Sequence, residues 1–197
     1  SKPESLTAWD FYLQALQQYH RRDAPEGILS LCDQAVQASV NFLDPYLLKC
    51  KVFLRERFKP HNRDRRAELS AQIFEIASYV VEKEASNAGA LAMMASYYFQ
   101  LNDLGNARHY ANEAFGINPN NSAATRALSL TEAYAGNIDL AYDYFLKTQA
   151  LDPSEWSEWP QFEVSLLMVL GRMNEALDKI TRAVENDPEN NLLLGFK

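Results

Sequence analysis

The sequence contains few of the residues that let a chain turn sharply. Its 197 residues include 7 glycines and 8 prolines, which favours long helices with short connections over many strands. Its two cysteines, Cys32 and Cys50, are too few for a metal framework or a disulfide-stapled small domain. No run of 18 or more apolar residues occurs, so we expect no membrane insertion of this segment.

Positive charge is also scarce. Twenty-six acidic residues outnumber 19 basic ones, which gives a formal net charge of −7. This balance repels nucleic acid and anionic membranes at long range. We therefore expect a protein or peptide partner that is basic or neutral, and no nucleic acid bound through this segment. Because 47% of the residues are apolar, the chain can bury the core of one domain.

The sequence contains no motif for catalysis or cofactor binding. It has no glycine-rich phosphate loop and no GxSxG nucleophile turn, which nucleotide binding and serine hydrolysis would require. His20, His61 and His109 lack the spacing with glutamate that places two imidazoles on zinc. We therefore predict no catalytic residues, no cofactor, no metal and no enzymatic activity.

A repeat of about 34 residues runs through the second half of the chain. Four positions with constant spacing recur in three consecutive units. They are Ala107, Ala111, Ala114 and Pro119, then Ala141, Phe145, Thr148 and Pro153, then Ala176, Ile180, Ala183 and Pro188. Four positions do not stay in phase through three units by coincidence, so the chain is built from repeats.

Each unit has the pattern of a helical hairpin. Leu91, Met94, Ala95 and Tyr98 follow one another at spacings of three and four, which places them on one face of a helix. The polar pair after this helix breaks it, and a second helix ends before the closing proline. A single hairpin cannot bury both faces, whereas stacked hairpins can.

These units resemble the tetratricopeptide repeat, a helix-turn-helix of 34 residues with small residues at fixed positions and a closing proline. The stretch LAMMASYYFQLNDLGNARHYANEAFGINPN matches the family pattern well. The next two units depart from it: Ser129 and Val164 take the small position, and Glu132 and Leu167 replace the usual tyrosine.

The resemblance implies an all-α fold, a right-handed superhelix of antiparallel helix pairs that forms a single domain over 1–197. We expect about five repeats, with approximate bounds 7–42, 43–86, 88–121, 122–156 and 157–190.

The opening SLTAWDFYLQALQQYHRRDAPEGILSLCDQAV has a narrower likeness. It resembles the first repeat of tetratricopeptide regions that follow winged-helix transcription activators and class III nucleotide cyclases in bacteria. This likeness implies a bacterial regulator, and both ends of the sequence suggest a piece cut from a longer chain. We expect a cytoplasmic location, or a periplasmic one if an upstream membrane anchor has been removed.

In the superhelix that the resemblance implies, the first helix of each pair lines a concave surface where peptides bind. Residues on these helices that point away from the packing face are the predicted partner-binding residues. They are Leu47, Lys51 and Arg55, then Ser96, Phe99 and Gln100, then Arg126, Leu130 and Ala133, then Gln161, Ser165 and Met168. We predict a non-catalytic module that docks a peptide or partner domain in this groove.

Two other functions stay open at this point. The segment could sense a ligand or signal for an attached DNA-binding or cyclase domain, or it could be a self-assembly element, with a homodimer as one form. Part of the groove could also be filled by the chain's own terminal helix or by a second copy.

Three local features each allow two interpretations. The basic stretch is either a solvated loop or a docking patch for an acidic partner or an anion; it comprises Arg55, Arg57, Lys59, Arg63, Arg65 and Arg66. Trp156, Trp159 and Phe162 either cap the preceding hairpin or anchor a partner. A bridge between the two cysteines is conceivable if their helices pack together.

Overall fold

The computed structural model describes residues 5–156 and 161–186, with side chains described to residue 182. These residues form ten α-helices and two short 3-10 helices, without strands. The α-helices are α1 (Leu6–Arg21), α2 (Pro25–Ala38), α3 (Asp44–Phe58), α4 (Arg66–Lys83), α5 (Ala88–Gln100), α6 (Leu104–Ile117), α7 (Ser122–Tyr134), α8 (Ile138–Leu151), α9 (Gln161–Val169) and α10 (Met173–Asn186). The 3-10 helices are η1 (Pro60–Arg65) and η2 (Pro153–Trp156).

Consecutive helices pack as hairpins, and the hairpins stack on one another. The pairs are α1 with α2, α3 with α4, α5 with α6, α7 with α8, and α9 with α10. First helices also contact first helices, since α1 packs on α3, α3 on α5 and α5 on α7. This arrangement confirms the predicted all-α superhelix of helix pairs.

Side chains at fixed repeat positions begin and end the helices. Asn87 and Asn121 each accept a 3.0 Å hydrogen bond from the backbone N–H three residues later, which satisfies a free donor at the helix start. The turn within a hairpin requires a left-handed residue. Gly136 (φ 86°) and Gly171 (φ 74°) occupy this conformation without the penalty that a Cβ would bring.

Small residues allow neighbouring hairpins to approach closely. Ala95, Ala111 and Ala127 are fully or almost fully buried and form one cluster with Leu128. Because interiors are packed as densely as crystals, longer side chains at these positions would force the helices apart. The phased alanines of the sequence therefore correspond to contacts between helices.

The glutamate that replaces the usual tyrosine of the repeat forms a buried ion pair. Glu132 is 2% exposed. Two nitrogens of the Arg108 guanidinium each contact one carboxylate oxygen of Glu132, at 2.7 and 2.8 Å. Asn137 donates a further hydrogen bond of 2.7 Å to this carboxylate. Such two-pronged pairing satisfies the carboxylate. At the small position, Ser129 donates to the backbone oxygen of Ala141 at 2.7 Å.

The aromatic residues before and within α9 pack inside the fold. Trp156 is 6% exposed and stacks on Phe162 with ring centroids 4.8 Å apart. Its ring also lies 5.0 Å from that of Phe145 on α8. Of the two interpretations, capping of the preceding hairpin holds for Trp156 and Phe162, whereas Trp159 lies outside the described residues.

Both cysteines are buried free thiols. Cys32 packs with Ile28, and Cys50 packs in a separate apolar cluster with Ile73. Burial raises the pKa of each thiol to about 12, so neither is a ready nucleophile at neutral pH. The conceivable bridge between them is not formed.

Among the residues that the structure describes, no helix combines the length and the apolar character needed to cross a bilayer.

Two glycines provide a matched test of the turn geometry. Gly136→Ala should lower the free energy of unfolding by about 1 kcal/mol, because a Cβ in the left-handed region costs about 1–2 kcal/mol. Gly116→Ala, inside α6, should raise it by about 0.5–1 kcal/mol. Neither new Cβ would meet another atom within 4 Å, so backbone conformation alone separates them. Urea unfolding followed by circular dichroism measures both, and a shift in the same direction for both would contradict this account.

Candidate binding site on the concave surface

The first helices of the hairpins line the inner side of the superhelix. Lys51 on α3 donates a 2.9 Å hydrogen bond to Glu155 in η2, although 104 residues separate them in sequence. A contact over this distance crosses several hairpins, so α3, α7 and η2 face one another across one surface. We call it the concave surface.

Among the residues that the structure describes, three cavities open along the concave surface. The N-terminal cavity, of about 180 Å³, is lined by Tyr12, Leu16, Asp44, Leu47, Leu48, Lys51, Gly89, Met93, Asn121, Ser122 and Ala123. The central cavity, of about 270 Å³, is lined by Leu54, Arg57, Phe58, Ser96, Phe99, Gln100, Asn102, Arg126, Leu130 and Tyr134. The C-terminal cavity, of about 420 Å³, is lined by Ala133, Tyr134, Ile138, Gln161, Phe162, Ser165, Leu166 and Val169.

The predicted partner-binding residues are distributed over these cavities. Leu47 and Lys51 line the N-terminal cavity. The central cavity includes Ser96, Phe99, Gln100, Arg126 and Leu130. The C-terminal cavity includes Ala133, Gln161 and Ser165. Two predicted residues line none of the three, namely Met168, which is 38% exposed, and Arg55, which is buried.

The guanidinium of Arg55 is bound by other residues of the fold. Its guanidinium donates to the backbone oxygens of Tyr19 and Asp23 at 3.1 and 3.5 Å, and it lies 4.8 Å above the Tyr19 ring. These two oxygens lie in the last turn of α1 and just after it, and a cation stabilises the carbonyl end of a helix. The sequence analysis predicted that Arg55 faces a partner. This prediction is corrected, because Arg55 already donates its hydrogen bonds to backbone oxygens at the end of α1.

A buried carboxylate joins two cations at the centre of the concave surface. Glu155 lies 2.9 Å from Lys51 Nζ and 3.1 Å from Arg126 Nε, and Ser122 donates to it at 3.1 Å. The Arg126 Nε–H bond points off the carboxylate oxygen, so this contact is a charge pair without a hydrogen bond. Arg126 also donates to Ser96 Oγ at 3.2 Å. We call Glu155, Lys51 and Arg126 the ion cluster.

The cations decide the charge state of the cluster. Burial alone would raise the pKa of Glu155, but Lys51 and Arg126 together outweigh burial and lower this pKa below its usual value. Burial would likewise lower the pKa of Lys51, and Glu155 reverses the direction and raises it. The cluster therefore stays ionised at neutral pH.

The basic stretch divides into paired and unpaired residues. Lys59 pairs with Glu56 at 2.7 Å, and Arg65 pairs with Glu68 at 3.0 Å. Within the described part of the chain, four of its arginines pair with no carboxylate: Arg55, Arg57, Arg63 and Arg66. Of these four, Arg57 lines the central cavity.

Arg57 and Tyr134 are cavity residues that the sequence prediction missed. Tyr134 follows Leu130 by four residues, so extending the same helical spacing by one turn would have found it. Arg57 was noticed only as part of a basic stretch, because nothing in the stretch distinguishes a cavity residue from a solvated one.

No three His, Cys, Asp or Glu side chains come close enough to hold a metal ion within the residues described.

Glu155→Gln should lower the free energy of unfolding at pH 7 by about 3 kcal/mol, because it leaves a buried arginine and a half-buried lysine without their carboxylate. The control Glu68→Gln breaks an exposed pair that solvent screens and should leave the free energy of unfolding nearly unchanged. Denaturant unfolding measures both variants. Equal losses in the two would contradict the role given to the ion cluster.

The same variant should change the dependence of stability on pH. A carboxyl whose folded pKa is lowered stabilises the fold above its unfolded pKa of about 4.3, and this contribution disappears as pH falls through the folded pKa. The parent chain should therefore lose more stability below about pH 4.3 than Glu155→Gln does. Unfolding curves between pH 7 and pH 3 measure the difference, and parallel losses would contradict it.

Comparison with known proteins identifies the repeat. Residues 88–121 match the family model of the tetratricopeptide repeat. No curated protein sequence matches the chain.

Three solved structures are similar to the whole superhelix. TTC0263, a thermophilic TPR protein in Thermus thermophilus, has a TM-score of 0.67 at 18% identity and covers 94% of each chain. Pseudomonas aeruginosa pilF has a TM-score of 0.59 at 16% identity, over 95% of this chain and 80% of its own. YrrB, described as a TPR protein with an unusual peptide-binding site, has a TM-score of 0.51 at 16% identity, over 94% and 89%. The described chain thus has the fold of a tetratricopeptide-repeat superhelix, and residues 88–121 are one such repeat.

Proposed function

We propose that the chain is a non-catalytic scaffold that binds a segment of a partner protein on its concave surface. The observation that carries the proposal is the junction of the central and C-terminal cavities, which share Tyr134. The two cavities are therefore adjacent, and their linings extend from the end of α3 to α9; we call this pair of cavities the groove. A surface of this extent fits an extended or helical segment better than a small molecule.

The groove presents apolar surface where a partner could anchor. Tyr134 is 60% exposed and Val169 is 67% exposed, although both line a cavity. The ring of Phe99 meets Tyr134 edge-on, with centroids 4.9 Å apart, which holds the exposed tyrosine in one place. Exposed aromatic residues in a preformed pocket are typical anchors of protein interfaces.

The groove also contains a buried acceptor that a bound segment could satisfy. Gln161 lines the C-terminal cavity, and its buried Oε1 accepts no hydrogen bond among the described residues. An unsatisfied buried polar atom costs about 1–3 kcal/mol. A backbone N–H of a docked peptide would remove this cost. Peptide binding by YrrB, which has a similar superhelix, agrees with the proposal.

The likeness of the opening segment supports a narrower proposal. We infer from it that the scaffold belongs to a bacterial regulator, where it would dock a partner or sense a signal for an attached DNA-binding or cyclase domain. Its support is the sequence of α1 and α2 alone. The cytoplasmic location, the exclusion of nucleic acid and the possible homodimer likewise stay predictions from the sequence.

Selection of peptides tests the proposed function. The 197-residue chain is used to select from a phage-displayed library of random dodecapeptides, and the enriched peptides are synthesised. Tyr134→Ala should weaken their binding about 30-fold, because removing an aromatic anchor costs about 2 kcal/mol. Leu140→Ala is the control, since Leu140 is 41% exposed on α8 and lines none of the three cavities. Fluorescence polarisation measures both variants.

Two results would contradict the proposed function. One is a library that yields no enriched peptide, and the other is a set of peptides that binds Tyr134→Ala and the parent chain equally. A second copy of the chain could also occupy the groove, and it would then compete with the peptides as the chain concentration rises. Sedimentation at several concentrations detects this association.

A further inference from the structure

The charge of the central cavity is opposite to that of the chain. Two positively charged residues line the cavity, Arg57 and Arg126, and no aspartate or glutamate lines it. The whole chain carries a formal net charge of −7. The cavity is therefore a local site for an anion within a surface that repels anions at long range.

Arg57 has hydrogen-bonding capacity that the fold leaves unused. Its Nε donates to Ser70 Oγ at 2.8 Å, and its guanidinium carbon lies 5.9 Å from the centre of the Phe58 ring. Its two terminal nitrogens have no hydrogen-bond partner within the described part of the chain. A guanidinium stays protonated and offers five donors in a planar fork, so a carboxylate could bind here with two parallel hydrogen bonds.

The surroundings of Arg57 add positive charge. Arg66 donates from its Nε to the backbone oxygen of Arg57 at 3.2 Å, so a second cation lies beside it. Burial and the Arg66 cation together lower the pKa of Arg57. An anion between these groups would relieve the repulsion that the folded chain now tolerates.

Arg126 differs from Arg57 in the groups that its guanidinium contacts. Its guanidinium forms a charge pair with Glu155 and donates one hydrogen bond to Ser96, so the chain's own carboxylate already balances its charge. Arg57 is thus the residue that would contact the anion directly, and Arg126 forms the far wall of the same cavity.

Apart from Ser96, Gln100 and Asn102, the rest of the cavity lining is apolar or aromatic. Leu54, Phe58, Phe99, Leu130 and Tyr134 surround the arginines. Its volume of about 270 Å³ lies below the range of about 300–1,000 Å³ that is usual for small-molecule pockets. It suits one or two side chains of a protein segment.

We propose that the central cavity binds a partner segment in which an aspartate or glutamate stands beside a large apolar side chain. The carboxylate bonds to the terminal nitrogens of Arg57, and the apolar side chain packs on Tyr134 and Leu130. This inference rests on the proposed function, because it specifies the partner of the same groove.

The enriched dodecapeptides test this proposal directly. We expect them to share an acidic residue next to leucine, isoleucine, phenylalanine or tryptophan. Replacing the acidic residue by its amide should weaken binding to the parent chain about 10- to 100-fold, the range for a charge-assisted hydrogen bond. Arg57→Gln should produce the same loss, and the two changes together should cost little more than either alone.

Matched variants separate contact from general charge and from folding. Arg63→Gln removes the same charge from an exposed position that lines none of the three cavities and should bind within about twofold of the parent. Arg57→Lys keeps the charge but loses the planar fork, so its binding should fall between the parent and Arg57→Gln. Circular dichroism and the melting temperature confirm that each variant is folded.

The possible failures are distinguishable. Enriched peptides without an acidic residue, whose binding depends on Tyr134 but not on Arg57, would overturn the inference and leave the proposed function intact. The inference would also be overturned if peptides with phosphoserine at this position bind while peptides with aspartate or glutamate there do not. A library without any enriched peptide would overturn the inference together with the proposed function.

Discussion

The carboxylate of Glu155 holds the concave surface together. In a stack of helical hairpins each unit contacts only its neighbours, so small changes of angle accumulate along the stack. Glu155 adds a contact between parts of the chain 104 residues apart, through Lys51 on α3, and also reaches Arg126 on α7. Lys51 lines the N-terminal cavity and Arg126 lines the central one. The shapes of both cavities therefore depend on one buried ion cluster whose cost of burial is met by its own pairing.

The sequence predicted the fold well because the repeat is a local property. Spacing of apolar residues sets each helix, and the phased alanines set the contact between neighbouring hairpins, so both can be read within about 40 residues. Contacts between distant repeats have no such signal. Arg55 is occupied by the carbonyls that end α1, and Arg126 by Glu155, and no periodicity connects these partners. Helical spacing alone selected ten residues that do line the cavities, but it could not tell a free side chain from a paired one.

The contrast between Arg126 and Arg57 shows how one surface can serve both the fold and a partner. Two arginines in one cavity have different roles: the chain's own carboxylate balances the charge of Arg126, whereas the terminal nitrogens of Arg57 have no partner in the described part of the chain. A buried or half-buried polar group without a hydrogen-bond partner is costly, so such groups concentrate where a binding partner supplies the missing hydrogen bond. Gln161 Oε1 at the other end of the groove follows the same logic. In the function that we propose, the apolar groove supplies affinity, and the unsatisfied polar groups at its two ends supply selectivity.

Hydrogen exchange followed by mass spectrometry, comparing the free chain with the chain saturated by a selected peptide, tests the central claim that the concave surface binds the partner. The account predicts slower exchange in the last turns of α3, α5 and α7 and in α9, with α2, α4, α6 and α8 unchanged. Protection confined to the second helices of the hairpins would contradict it, because the partner would then lie on the opposite side of the superhelix.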